Sequence, residues 1–448
     1  MEFQAFKEIV IARAAALGIT EYELYYQAGE STEAGAFQHE INEFSSARSG
    51  GVCFRCIAGG KMGYASTEEL SREQAEAIVV RAADNAAVLE SEEPAFLCEG
   101  GKTYEALALK PYALPETETL IRTVLDTQEK LYAADPAVVD GCQTEGFCER
   151  NEIAIYNSKG LDLHYENNLS GLFVVAVVSD GTEKSDDFQI KVGKLTEIDT
   201  EKLVKKAVTA ALRKLGGDVA PTMVCPVVFN PDAMTALLAT FSPLFSAENA
   251  QKGLSRLGDK EGTQIAAPAV TLVDDPFYPE SPMPIPFDAE GVPAHRKNVI
   301  ENGELKTLLY NLKTAAVAGK ESTGNAAKSG YDAPVDVQPF TMYLAAGEYT
   351  EEELLQKAGN GVYINSLGGL HAGANPVSGD FSLQSAGFLI EDGKKTAPVK
   401  SFTVAGNFYD LLRKITAVGD HVELPNANGV TAFGAPSVLV EQLSIAGK

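Results

Sequence analysis

The order of helix-like and strand-like segments in the first 220 residues most limits how this chain can fold. Apolar residues recur at spacings of three and four from Phe3, which predicts a helix that ends at Gly18. Short strand-like runs follow, and a second helix is predicted after Ser71, with Gln74 in the capping-box position. The same layout of helix, strands and helix returns over residues 116–215, without a detectable sequence repeat. We therefore predict two α+β subdomains with a common layout.

The chain changes character after Pro221, where Gly and Pro become frequent and short strand-like runs replace most helices. This pattern is typical of a large β-rich domain. A chain of 448 residues can form two or three packed domains. The predicted fold class is α+β: an N-terminal α/β region of two helix–strands–helix subdomains, followed by a large β-rich C-terminal domain. The predicted boundaries divide the chain into residues 1–110, 111–220 and 221–448.

Charge and apolar patterning limit the partners and the location of the protein. The formal net charge of −25 repels phosphate backbones, so we expect no direct binding to nucleic acid. No apolar run reaches the roughly 18–20 residues of a membrane span. The first ten residues lack the basic flank and apolar core of a signal peptide. The six cysteines show no disulfide-framework spacing, so we predict a cytoplasmic protein without membrane contact.

The sequence has no local pattern for a catalytic zinc site. The HExxH pattern places two His side chains four residues apart on one helix face. The closest two of the five histidines here, His371 and His421, are 50 positions apart. A ligand set assembled from distant residues stays open, and its candidates are Asp274, Asp275, Asp288, Glu290, His295 and His371. The acidic residues among them are also typical of turns, because Asp side chains bond the nearby backbone.

Cysteine and serine patterns give no catalytic site either. Cys53 and Cys56 form a CxxC pattern, but they lie in the strand-like run GVCFRCI rather than at the start of a helix. Side chains three positions apart on a strand face opposite ways, so we predict two structural cysteines. The sequence contains no GxSxG elbow and no GxxxxGK[ST] phosphate loop.

Residues 365–387, NSLGGLHAGANPVSGDFSLQSAG, are rich in glycine and lead into an alternating strand that begins at Asp380. We call them the glycine-rich segment. Glycine allows another backbone to approach closely, so one interpretation is a groove in which an extended peptide adds as a strand. The alternative is a set of tight turns in a β-rich domain, and the residues alone do not decide between them. The groove candidates are Gly368, Gly369, His371, Ser378, Gly379 and Asp380.

Several blocks in a fixed order give the sequence a family resemblance. The most specific are TLVDDP at 271–276, FDAEGVPAHRKNVIENGELKTLLYN at 287–311, STGNAA at 322–327 and VSGDFSLQSAGFLIEDGK at 377–394. Two further blocks are PVKSFTVAGNFYDLL at 398–412 and GAPSVLV at 434–440. With these blocks the chain resembles, over nearly its whole length, the TldD/PmbA (TldE) family of DNA gyrase modulators and zinc metallopeptidases.

The resemblance also indicates a branch of that family. The TldD branch carries HExxxH on a helix before the VDD block and a Cys ligand near the C-terminus. The matching region here, Phe241 to Gln264, contains no His, and the C-terminal ligand region, residues 415–437, contains His421 but no Cys. The chain therefore resembles the PmbA (TldE) branch, which lacks the zinc ligands.

The resemblance implies a non-catalytic subunit of a TldD-type peptidase that degrades or matures extended peptides, such as microcin- or antitoxin-like substrates. It implies a heterodimer with an HExxxH subunit, no cofactor in this chain and zinc in the partner. We expect this chain to be inactive alone. Two alternatives stay open: a self-sufficient metallohydrolase with dispersed ligands, and a stand-alone peptide-binding homodimer.

Overall fold

The structure is a computed structural model that describes residues 1–90, 95–106, 112–428 and 431–448. It confirms the predicted α+β fold class, with helices concentrated in the first half and strands throughout. The boundary predicted between residues 110 and 111 lies outside the described residues. The division into three domains stays a prediction. None of the helices in the described ranges combines the length and apolar character that a membrane span requires.

The N-terminal half contains four α-helices and seven strands in the described residues. In chain order they are α1 (Phe3–Ala16), β1 (Tyr22–Phe37), β2 (Glu40–Ala58), β3 (Lys61–Thr67), α2 (Arg72–Val88), α3 (Thr117–Ala133), β4 (Gln143–Asn157), β5 (Asp162–Ser179), β6 (Lys184–Val192), α4 (Thr200–Lys214) and β7 (Asp218–Val219). The predicted helices are thus confirmed, and the Ser71 side chain accepts a hydrogen bond from the N–H of Gln74 at the start of α2. A short 3₁₀ helix, Leu195–Glu197, precedes α4.

One antiparallel sheet joins the two predicted subdomains. Its strand order is β3-β2-β1-β4-β5-β6, and the pairing of β1 with β4 connects the first segment to the second. Leu24 of β1 packs with α1 and α2, whereas Ala34 of the same strand packs with α3 and α4. Residues an even number apart on a strand share a face, so both helix pairs cover the same face of the sheet, at its two ends.

The C-terminal half has most of its chain in short strands. Its elements are β8 (Met223–Phe229), α5 (Pro231–Phe241), α6 (Ala247–Gln251), β9 (Leu272–Asp274), β10 (Lys297–Glu301), β11 (Glu304–Leu305), α7 (Leu312–Ala318), β12 (Ala326–Ala327), β13 (Asp336–Val337), β14 (Thr341–Leu344), α8 (Glu351–Ala358), β15 (Gly361–Gly368), α9 (Leu370–Gly373), β16 (Asp380–Glu391), β17 (Lys394–Asn407), α10 (Phe408–Lys414), β18 (Ile415–Val418), β19 (Glu423–Asn428), β20 (Thr431–Ala435) and β21 (Val438–Ala446). A 3₁₀ helix, Ser242–Phe245, follows α5.

Five of these strands close into a barrel. The ring runs β21-β8-β15-β16-β17 and returns to β21, because Val404 of β17 also pairs with Ile445 of β21. A second sheet, ordered β11-β10-β9-β14-β20-β19, packs against the same apolar core. Phe241 of α5 stacks on Phe408 of α10 within this core, with ring centroids 4.7 Å apart. Closure gives each strand of the ring a partner on both sides over at least part of its length, which protects a β-domain against edge pairing.

The other face of the N-terminal sheet contacts the C-terminal half. Tyr25, Cys53 and Ile155 pack there with Phe287 and Val292, which lie in the loop between β9 and β10. Four of the predicted metal-ligand candidates, Asp275, Asp288, Glu290 and His295, lie in this same loop.

The cysteines are placed as the strand pattern predicts. Cys53 faces the C-terminal half, whereas Cys56 packs with the core of α1 and α2 on the opposite face of β2. All six cysteines are free and buried, and burial raises the pKa of the Cys56 thiol to about 11. Thiols with raised pKa values are poor nucleophiles and poor metal ligands.

Candidate functional site

Asp274, the last residue of β9, is fully buried, and its carboxylate accepts four hydrogen bonds. Oδ1 accepts from the backbone N–H groups of Phe340 and Thr341, at 2.9 and 3.1 Å. Oδ2 accepts from Lys297 Nζ at 3.2 Å and from Asn325 Nδ2 at 2.7 Å. A buried carboxylate with this many donors anchors the surrounding loops. A metal ion at Asp274 would have to displace these donors.

Asp288 and Glu290 bind the backbone of the loop that carries them. Asp288 Oδ1 accepts from the N–H groups of Glu290 and Val292, both at 2.9 Å, and Oδ2 accepts from Ala326 N at 3.0 Å. Burial, together with the nearby Glu290 carboxylate, raises the pKa of Asp288 to about 7. Glu290 Oε2 accepts from Leu312 N at 2.8 Å, which ties the loop to the start of α7.

Glu290 also takes part in a buried ion cluster between the two halves of the molecule. Its Oε1 lies 3.5 Å from Arg55 Nη1 on β2. Arg55 Nε donates to Glu23 Oε1 at 2.7 Å, and Asn157 Nδ2 donates to the other Glu23 oxygen at 3.3 Å. Sequence reasoning missed Arg55 and Glu23. The available signal was Arg55 itself, the one charged residue in the apolar run GVCFRCI.

The remaining metal-ligand candidates lie at the surface or hold turns. Asp275 Oδ1 accepts from Phe277 N at 3.0 Å, and the side chains of His295 and His371 are exposed. In the described ranges, ligand atoms of three or more His, Cys, Asp or Glu residues approach closely enough for one ion only at Glu152, His164 and Glu166. The structure therefore does not gather the predicted six around a single point, and their metal-ligand role stays a prediction.

The glycine-rich segment forms the end of β15, the one-turn helix α9, a tight turn and the start of β16. Asn375 Oδ1 accepts from the N–H groups of Val377 and Ser378 at 2.9 and 3.1 Å, which closes the turn. Gly379 has φ +83°, and a Cβ there would lie 2.7 Å from the Tyr409 ring, so only glycine fits. Gly369 also has positive φ, at +73°.

Hydrogen bonds fix the end of this turn. Asn407 Nδ2 donates to Asp380 Oδ1 at 2.8 Å and to Ser378 O at 3.0 Å. The donation from Asn407, followed by a hydrogen bond from Ser378, lowers the pKa of Asp380. The tight turns expected from the alternative interpretation are therefore present. The strand before them is the part of the glycine-rich segment at which a peptide could add.

That strand, β15, has two strand neighbours over only part of its length. Its pairing with β8 reaches Ile364, opposite Phe229, whereas its pairing with β16 continues to Gly368. In the described part of the chain, residues 366–368 thus have a strand on one side only. Asn365 Oδ1, next to the end of the β8 pairing, is buried and accepts no hydrogen bond from the described residues. A buried acceptor without a donor is costly unless a ligand supplies one.

By the family resemblance, residues Phe241 to Gln264 correspond to the HExxxH helix of the TldD branch. Here they run from the end of α5 through α6 into a loop. Its acidic side chains already have partners. Glu248 pairs with Lys252 Nζ at 2.6 Å. Glu261 accepts from Leu308 N at 2.7 Å and also pairs with Lys320. With no imidazole and no thiolate, this donor set does not fit a catalytic zinc ion. His421 is exposed, and the region around it lies partly outside the described residues.

Comparison with known protein domains assigns the chain to a family. PmbA/TldA metallopeptidase domain 1 matches residues 22–86, the central domain matches 110–215 and the C-terminal domain matches 222–447. The chain belongs to the PmbA/TldD metallopeptidase family. This confirms the resemblance drawn from the sequence blocks.

Relatives of the PmbA/TldD family match over most of their length. The metalloprotease PmbA of Escherichia coli O157:H7 is 26% identical over 400 residues, which cover 87% of this chain and 84% of that protein. A metalloprotease of Methanothermobacter thermautotrophicus is 28% identical over 398 residues, with coverage of 86% and 85%.

Solved PmbA/TldD structures share the fold. A Thermotoga maritima protein described as a modulator of a DNA gyrase is 32% identical, has a TM-score of 0.90 and is matched over 99% of this chain and 100% of its own. TldE from Thermococcus kodakarensis is 25% identical, with a TM-score of 0.88 and the same coverage.

Proposed function

We propose that this chain is a non-catalytic subunit of a TldD-type zinc metallopeptidase, and that it holds extended peptides for cleavage at the partner's metal. The observation that carries the proposal is the donor set at Phe241–Gln264, where an ion would meet carboxylates that already bind Lys252, Lys320 and the backbone. A zinc peptidase needs ligands together with an open position for water. The similarity to TldE supports the same role.

The peptide-holding part of the proposal rests on β15. Residues 366–368 have a strand neighbour on one side, and Asn365 Oδ1 is a buried acceptor beside them. Main-chain hydrogen bonds from an added strand bind a peptide with little dependence on its sequence. We therefore propose unstructured peptides, such as microcin- or antitoxin-like chains, as substrates, and cytoplasmic processing of them. Among the groove candidates, Gly368 belongs to this strand, whereas Ser378, Gly379 and Asp380 build the turn that supports it.

The test is reconstitution with an HExxxH subunit encoded in the same genome. We expect the two chains to elute as one complex with zinc bound in the partner. The complex should cleave an unstructured peptide, whereas this chain alone should not, even with added zinc. The matched control is the same complex with the partner's HExxxH glutamate changed to Gln, which should assemble but not cleave. Failure of the two chains to associate, together with unchanged proteolysis by the partner, would contradict the proposal.

The same assay separates the alternatives. A self-sufficient metallohydrolase would cleave peptide without the partner when zinc is added. A stand-alone peptide-binding homodimer would bind peptide alone and gain nothing from the HExxxH subunit.

A further inference from the structure

The middle of the helix-covered face of the N-terminal sheet carries charged side chains instead of an apolar core. Ala28 of β1 lies on this face, between Leu24, which packs with α1 and α2, and Ala34, which packs with α3 and α4. Glu152 of β4 is the direct partner of Ala28 and therefore points to the same side. Glu152 thus occupies the gap between the two helix pairs.

Two further side chains lie beside Glu152 on β5. Glu166 is its direct cross-strand partner, and His164 is two positions before Glu166 on the same face. His164 Nε2 lies 3.0 Å from Glu152 Oε1, and one ligand atom from each of the three residues lies within 4.8 Å of the others. The side chains are 31%, 52% and 31% exposed for Glu152, His164 and Glu166, so an ion can reach them from solvent.

The backbone beneath these residues is fixed. The pairing of β4 with β5 continues without a register shift from Gln143 to Tyr156, and both strands are internal to the sheet. Arg150 Nη2 donates to Glu166 Oε2 at 2.9 Å, which restrains that carboxylate. A carboxylate has two oxygens, so this ion pair and a metal bond at the other oxygen can coexist.

We propose that Glu152, His164 and Glu166 bind one divalent transition-metal ion in the gap between the two helix pairs. Three ligands from two adjacent strands leave the remaining coordination positions to water. The imidazole nitrogen favours borderline ions such as Zn²⁺, Ni²⁺ or Cu²⁺, because Mg²⁺ and Ca²⁺ prefer oxygen ligands alone. The hydrogen bond between His164 and Glu152 already holds the imidazole next to a second ligand.

The test is calorimetric titration of the full chain, without any partner subunit, with ZnCl₂ in buffer that contains excess MgCl₂ and physiological salt. Magnesium and salt suppress the general attraction that a net charge of −25 exerts on cations. We expect one zinc ion per chain. His164→Ala should weaken binding by about tenfold or more, since loss of a ligand costs at least as much as loss of a supporting contact. Glu152→Gln and Glu166→Gln should weaken it as well.

The matched control is His421→Ala, which removes an exposed histidine elsewhere in the chain and should leave the zinc affinity unchanged. Circular dichroism checks the folding of each variant, and we expect the His164→Ala variant to be folded because His164 is half exposed. Equal zinc binding by the wild type and His164→Ala would overturn the proposal, and so would the absence of zinc binding by the wild type. Neither result depends on peptide cleavage, so this proposal can fail while the proposed function stands.

Discussion

Arg55 on β2 and Glu290 in the loop between β9 and β10 form an ion pair of 3.5 Å across the contact between the two halves of the molecule. Both side chains are buried, with 6% of each exposed. Arg55 also binds Glu23 at 2.7 Å, so one guanidinium balances two carboxylates. Glu290 also accepts a hydrogen bond from the start of α7, and the neighbouring Asp288 accepts one from Ala326. The cluster therefore fixes the position of the N-terminal sheet on the C-terminal half.

Replacing Arg55 with Met should destabilise the protein by about 3–5 kcal/mol, because it leaves two buried carboxylates without a cation. Urea denaturation measures the change in the free energy of unfolding. Arg48→Met is the matched control, since Arg48 is also on β2 and pairs with a β1 glutamate, Glu30, but is 84% exposed. That control should cost about 1 kcal/mol or less. A similar decrease in the free energy of unfolding for the two variants would show that the buried cluster contributes no more to stability than an exposed ion pair.

Asp288 should make stability depend on pH in the acid to neutral range. Its folded pKa of about 7 lies above the value of about 3.9 expected in the unfolded chain. The carboxyl group therefore favours folding fully below about pH 4, and this contribution is lost as pH rises to about 7. The stability lost in Asp288→Asn should be larger at pH 5 than at pH 7.5. Asp259→Asn, at an exposed position, should show no such difference, and a constant loss for Asp288→Asn would contradict the assignment.

The Asp274→Ala variant should have a lower free energy of unfolding than the wild type, whether or not metal is present. The change leaves the Lys297 ammonium buried without its anion and removes the acceptor of the Phe340 and Thr341 N–H groups. The expected loss is about 3–5 kcal/mol, as for other broken buried pairs. Asp420→Ala at an exposed position should change stability by about 0.5 kcal/mol or less. If chelators remove the difference between Asp274→Ala and the wild type, Asp274 is a metal ligand after all.

Gly387→Ala should disrupt the barrel, because a Cβ at this position of β16 would lie 1.8 Å from the Tyr363 carbonyl oxygen. The expected cost is about 1–3 kcal/mol or more, measured as a lower thermal midpoint. Gly368→Ala offers a control on the paired strand, since its nearest neighbour would be Gln384 Cβ at 3.8 Å. A folded Gly387→Ala variant with an unchanged midpoint would show that the two strands separate easily.

Asn365→Leu should separate peptide binding from stability. The Oδ1 atom of Asn365 accepts no hydrogen bond from the described residues, so an apolar side chain of similar size should leave the unfolding midpoint unchanged or raise it. Capture of a fluorescent extended peptide by the reconstituted complex should nevertheless weaken, as measured by anisotropy. Asn85→Leu, on the exposed side of α2, should not affect capture. Unchanged capture by Asn365→Leu would remove Asn365 from the binding site.

The helices were predictable because their signals are local. The capping residues Ser71 and Gln74 predict the start of α2, which begins at Arg72. Long strands were harder. In place of β4 the sequence favours two short strands, residues 145–150 and 153–157, with Asn151 and Glu152 between them. The pairing with β1 and β5 nevertheless continues through both residues. Cross-strand hydrogen bonds, rather than local preference, decide such positions.

The role of the acidic candidates could not be predicted from local sequence. Asp274 meets Lys297 and Asn325, which follow it by 23 and 51 positions. Glu290 meets Arg55, which comes from the other half of the chain. Turns and metal sites both use acidic residues, so the sequence alone does not distinguish the two roles, and only the tertiary contacts do.

The closed barrel has a consequence for synthesis of the chain. β8 begins at Met223, but one of its two neighbours is β21, where Met223 pairs with Ile445. At ribosomal rates, synthesis of the residues between β8 and β21 takes roughly ten to forty seconds. The six strands of the N-terminal sheet end at Val192, so that sheet can form while the barrel strands are still being made. During this interval β8 has an unpaired apolar edge, and nascent chains stalled before β21 should be prone to aggregate and to recruit chaperones.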